Sequence, residues 1–81
     1  MSAIYRTDYM EIRRIMMERR IDSIQDLAAK TGVNRNTLGK ILSGKARPSS
    51  EVMERLVYTL NIQPEKAGKI FFGTVLPHLG R

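Results

Sequence analysis

The sequence predicts an all-α fold, five short helices with a short extended segment at each end. Three observations carry this. Apolar residues recur three and four positions apart in five separate blocks, the period of a helix with one buried face. Most blocks open on a side chain able to cap a helix, at Asp8, Ser23, Asn34 and Ser49. Between the blocks stand residues that end helices, among them Gly32, Gly44, Pro48 and Pro64. With 81 residues there is volume for one small core. The chain 1–81 therefore reads as a single domain, its core about 8–72 and its tail 73–81.

Residues 1–7, MSAIYRT, have no helical period and suit a disordered end, an arm or a short strand. Asp8 followed by Glu11 has the form of a capping box, and the helix it opens lines one side with Tyr9, Ile12, Ile15, Met16 and Arg19. Arg13, Glu18 and Arg20 are expected in water, and Met10, Met16 and Met17 as flexible filler around the core. This helix should end near Arg20. Ser23 with Asp26 forms a second capping box, and Asp26 also places a negative charge where the helix dipole favours one.

The stretch Ile24–Gly44 is the centre of the chain. Ile24, Leu27, Ala28, Val33, Leu38, Ile41 and Leu42 are its apolar positions, and Gly32 sits where a helix must stop and the backbone needs positive φ. Asn34 can cap a new helix two residues later. A stop followed so soon by a start means two helices joined by a sharp turn at 31–33. The loop after the second, Ser43–Pro48, is basic, and Pro48 biases Arg47 away from helix while Ser49 can cap the next one. That helix buries Val52, Met53, Leu56, Val57 and Leu60, leaves Glu51, Glu54 and Arg55 in solvent, and ends at Asn61. The last begins at Pro64, a residue tolerated at a first helical position, and buries Ala67, Ile70 and Phe71. The tail GTVLPHLGR favours extended structure. Its Val75 and Leu76, together with Phe71, Phe72 and Leu79, call for something to cover, either the domain itself or a second copy, with residues 2–6 as a companion strand.

Composition excludes several function classes. There is no cysteine and one histidine, His78, so thiolate and multi-histidine metal sites are ruled out. No stretch approaches the roughly 18 apolar residues of a membrane span, and the start lacks a signal-peptide core; the expectation is a cytoplasmic, nucleoid-associated protein. The net charge of +6 is unevenly placed. From Leu27 to Ser50 there is no acid, while Lys30, Arg35, Lys40, Lys45 and Arg47 contribute +5. Counterion release from a polyanion rewards such segregation. The string Gly39–Ala46 nearly spells a phosphate-binding loop, but Ala46 lacks the hydroxyl that holds Mg²⁺ and no buried strand precedes it. His78 has no acid or nucleophile at motif spacing, so neither catalysis nor a cofactor is expected.

Leu27-Ala28, Gly32-Val33, Asn34 and Leu38, followed by Ser43-Gly44-Lys45 and Arg47-Pro48-Ser49, resemble the helix-turn-helix of the phage repressor and Cro family, also called the XRE family. The resemblance covers roughly residues 9–62 and implies a compact repressor-like domain. One departure is Ile24, at a position often occupied by a Gln that braces the second helix and touches DNA; Gln25 is the substitute. The resemblance implies a recognition helix about Arg35–Leu42 in the major groove, with Arg35, Asn36, Thr37 and Lys40 toward base edges. Arg can give two parallel hydrogen bonds to guanine and Asn can pair with adenine; Thr37 and Lys40 also suit phosphates, and the side-chain-free Gly39 would let the backbone come close. Gln25, Lys30, Asn34, Lys45, Arg47 and Ser49 are the implied phosphate contacts, with helix capping the plain alternative for Asn34, Asn36 and Ser49. The partner implied is a double-stranded DNA operator, an inverted repeat bound by a homodimer formed in solution or on DNA. A protein-interaction module, an antitoxin or assembly partner that uses the motif as scaffold and grips another protein through its C-terminal tail, is the competing reading.

Overall fold

The computed structural model describes residues 5–74. In chain order the elements are β1 (Tyr5–Arg6), α1 (Tyr9–Glu18), α2 (Ile24–Thr31), α3 (Arg35–Leu42), α4 (Ser50–Leu60), α5 (Pro64–Phe72) and β2 (Gly73–Thr74). The fold is all-α with a minimal ribbon: β1 and β2 pair antiparallel, Tyr5 opposite Thr74 and Arg6 opposite Gly73. Pairing between the two ends is thus found at Tyr5–Arg6, within the span 2–6 where a companion strand was expected. Ile4, Val75, Leu76, His78 and Leu79 lie outside the described residues.

The caps form where the side chains foretell them. Asp8 Oδ1 accepts from Glu11 N, Ser23 Oγ from Asp26 N, and Ser49 Oγ from Val52 N. Each satisfies a backbone donor that the first turn of a helix leaves orphaned. The ends of α1 and α4 are closed by left-handed residues. After α1, Arg20 stands at φ 60°, with Arg20 N donating to Met17 O and Ile21 N to Met16 O, the paired bonds of a Schellman motif. Asn61 at φ 53° closes α4 in the same way, with Ile62 N donating to Val57 O.

The core joins Ile12, Ile15 and Met16 of α1 to Leu27, Leu38 and Leu42, to Leu56 and Leu60, and to Ile70 and Phe71. Helix α1 packs on α3 and α5, and α4 packs on α2, so α2 and α3 rest on a scaffold made by the other three. Val52, Met53, Val57 and Ala67 are half-buried against this core rather than inside it.

Two expectations about α1 and α4 are corrected. Met10 and Met17 are not filler: they are 64% and 75% exposed, because they fall on the face of α1 opposite Ile12 and Ile15. Nor do the arginines simply point into water. Arg13 Nε donates to Leu42 O at 3.0 Å, and Arg55 Nη1 to Thr31 O at 3.0 Å. Arg19, placed on the apolar side of α1, donates from Nε to Leu60 O at 2.7 Å and from Nη2 to Asn61 O. Three arginines thus serve the C-terminal carbonyls of three different helices, where orphan acceptors and the negative end of the dipole favour a cation.

Candidate nucleic-acid interface

The turn between α2 and α3 accounts for its own backbone. Gly32 takes φ 76° and its N–H donates to Ala28 O, closing α2. Thr31, buried, donates from Oγ1 to Leu27 O at 2.7 Å and accepts from Val33 N at 3.1 Å, so one hydroxyl links the last turn of α2 to the residue after the bend. Asn34 Oδ1 then accepts from both Asn36 N and Thr37 N, which starts α3. Val33 and Leu38 anchor the second half in the core. The result is a short helix of fixed pose, with Leu38, Ile41 and Leu42 inward and Arg35, Asn36, Thr37 and Lys40 exposed.

The four residues expected to face bases therefore share the outer surface of α3. Among the described residues neither Arg35 nor Lys40 has a salt-bridge partner. Gly39 lies between them in the chain; an added Cβ would meet nothing within 4 Å. Folding does not require glycine there.

The six residues expected to hold phosphates divide by their partners. Gln25 is exposed on the first turn of α2, while its neighbour Ile24 is packed against the core, which is why a polar residue does not stand at 24. Lys30 bonds Asp26 one turn earlier at 2.8 Å. Asn34 and Ser49 cap α3 and α4, while both remain exposed. Lys45 and Arg47 project from the loop after α3, and the Arg47 guanidinium lies 5.9 Å from the centre of the Tyr5 ring.

That loop begins with a third Schellman closure, Gly44 at φ 81° and Lys45 N donating to Lys40 O at 2.8 Å. Its geometry tolerates no side chain, since a Cβ on Gly44 would lie 2.8 Å from the Tyr9 ring. The acids that flank the basic stretch are engaged locally, Asp26 with Lys30 and Glu51 with Arg55. Among the described residues Arg35, Lys40, Lys45 and Arg47 have no salt-bridge partner, and such unpaired charge is suited to a phosphate backbone.

Sequence patterning missed three contributors: Arg55, whose guanidinium ties α4 to the end of α2; Arg13, which ties α1 to the end of α3; and the hydroxyl of Thr31. The last had a signal, a Thr just before the turn glycine with a donor two residues on. The arginines act across 24 and 29 positions of sequence, and no local pattern reports that.

Residues 11–66 match the family model of the Cro/C1-type HTH DNA-binding domain. No curated protein and no solved structure matches the chain. Among the described residues no helix is long and apolar enough to cross a membrane.

Proposed function

This chain belongs to the Cro/C1-type helix-turn-helix DNA-binding domain family, and from that premise we propose that it is a sequence-specific transcriptional regulator of the small repressor or Cro type. It acts in the cytoplasm on the nucleoid. The observation that carries the proposal is the joint exposure of Arg35, Asn36, Thr37 and Lys40 on α3, beside an acid-free basic loop. Helix α3 enters the major groove, Arg35 and Asn36 read bases, and Lys45 and Arg47 hold phosphates, assisted by Gln25, Lys30 and the capped helix starts at Asn34 and Ser49.

The length of α3 argues for two copies on one operator. Eight residues make a rod of roughly 12 Å, which runs alongside about four base pairs. That is too short an address, and a two-fold dimer on an inverted repeat with half-sites roughly 34 Å apart doubles it. Met10 and Met17, both exposed on α1, favour a second reading, in which the same domain also engages a protein partner.

Selection of bound sites from random duplex DNA, followed by footprinting, tests the proposal. The expected product is an inverted repeat protected on both half-sites; enrichment no better than that of unselected DNA would overturn it. The same duplexes separate readers from anchors. Arg35→Ala should cost about 1–3 kcal/mol on the selected site and relax preference at one base pair, whereas Lys45→Ala should weaken all sequences alike and flatten the salt slope by about one.

A further inference from the structure

Tyr5, Tyr9 and Arg13 stand four residues apart, and each meets the segment that leaves α3. Arg13 Nε donates to Leu42 O at 3.0 Å. The Tyr9 ring packs so closely on Gly44 that a Cβ would lie 2.8 Å from it. The Arg47 guanidinium sits 5.9 Å from the Tyr5 centroid. The contacts run antiparallel, the later residue of one segment meeting the earlier residue of the other, and close on a small cleft of about 60 Å³. Tyr5 is itself held: its ring and that of Phe72 are roughly perpendicular, 6.0 Å and 84° apart, and β1 is paired with β2.

We infer that Tyr5 is a positioning residue for DNA binding, holding the Arg47 guanidinium in place on its ring before a phosphate arrives. The inference rests on the reading of Arg47 as a phosphate contact. A two-residue strand has little stability of its own, yet here it presents a half-exposed aromatic ring to a cation of the basic loop. The negative face of an aromatic ring attracts a guanidinium. An arginine already confined loses less rotamer freedom when it binds, so confinement raises affinity without adding a contact to DNA. Because Phe72 helps to hold the ring, the end of α5 and the ribbon become part of the DNA-binding apparatus.

The test is a double-mutant cycle on the full chain, with affinity for random duplex DNA measured across a salt series. Tyr5→Ala should weaken binding by about two- to fivefold, the worth of an exposed cation–π contact, and flatten the salt slope by up to about 0.9. Tyr5→Phe, which keeps the ring, should bind as the parent does. Tyr5→Leu, which keeps packing on Phe72 but not the π face, should behave like Tyr5→Ala; it separates cation holding from a merely structural role and serves if the alanine variant folds poorly. In an Arg47→Ala background, Tyr5→Ala should cause no further loss. Equal losses with and without Arg47, full affinity in Tyr5→Leu, or a gain of affinity in Tyr5→Ala would each overturn the inference. If Arg47→Ala leaves affinity and salt slope unchanged, the phosphate reading of Arg47 falls, and the inference with it. If Arg47→Ala weakens binding and Tyr5→Ala does not, only the inference falls.

Discussion

Three glycines give a sharp test, because two have open space around them and the third does not. Gly39 and Gly68 lie inside helices with nothing within 4 Å of a built Cβ, whereas Gly44 stands at φ 81° with the Tyr9 ring 2.8 Å away. Alanine in a helix interior is favoured over glycine by about 0.8–1 kcal/mol. Gly39→Ala and Gly68→Ala should therefore each raise the melting temperature by roughly 3–8 °C in a domain of this size. At Gly44 the left-handed backbone alone costs a side chain about 1–2 kcal/mol, and forcing a methyl against the Tyr9 ring adds about 1–3 kcal/mol. Gly44→Ala should lower the melting temperature by roughly 8–40 °C. DNA binding separates the first two. If the α3 backbone approaches the duplex at Gly39, a methyl there is overpacked, and affinity falls by roughly 5- to 150-fold although the fold is stabilised. Gly68, on α5, should leave affinity unchanged. Thermal melts by circular dichroism and fluorescence anisotropy on one operator duplex read both quantities. A Gly39→Ala protein that gains stability and keeps full affinity would refute close approach at that position; one that loses stability would refute the helix-propensity argument.

Three further outcomes follow from the same geometry. Arg20, exposed and at φ 60°, carries a side chain where glycine is at ease; Arg20→Gly should stabilise by about 0.5–1 kcal/mol in chemical denaturation, and a loss would show that the side chain earns its place otherwise. Arg19→Ala removes the donors to Leu60 O and Asn61 O and should cost about 1–2 kcal/mol; no change would mean that water replaces the guanidinium. Glu11 is held at about 2, first by the Arg14 guanidinium and then by Lys66, against an ordinary value of 4.5. A lowered folded-state pKa stabilises above 4.5 and is lost as pH falls toward 2. Glu11→Gln should therefore make the fall in melting temperature over that window shallower, modestly so because the network is at the surface; an unchanged pH slope would remove the pair from the account.

What the sequence makes legible here is what depends on neighbours along the chain. The bounds expected for the recognition helix, about Arg35–Leu42, coincide with those of α3, since Asn34, Gly32 and the Leu38–Ile41–Leu42 stripe each act within a turn or two. The caps at Asp8, Ser23 and Ser49 are legible for the same reason. Burial is less so. Met10 and Met17 share their type with buried Met16, and only the direction of the core distinguishes them. Which cations serve the fold is not legible at all, since Arg13, Arg19 and Arg55 find carbonyls 29, 41 and 24 positions away. The outward pose of Arg35, Asn36, Thr37 and Lys40 is a matter of helical period and so could be foreseen; the placing of Arg47 over Tyr5 depends on β1 meeting β2.

That division changes how the net charge of +6 should be weighed. A count of basic residues treats every cation as available to a polyanion. Here Arg13, Arg19 and Arg55 donate to helix carbonyls, and Arg14 and Lys66 are paired with Glu11. Arg35, Lys40 and Lys45 have no salt-bridge partner among the described residues, and Arg47 rests on an aromatic ring that leaves its charge intact. A cation paired with a carboxylate releases few counterions on binding, whereas an unpaired one brought against the duplex does so in full. The salt dependence of DNA binding should therefore track the unpaired cations that α3 and its following loop bring to the duplex, Arg35, Lys40, Lys45 and Arg47, and not the total charge.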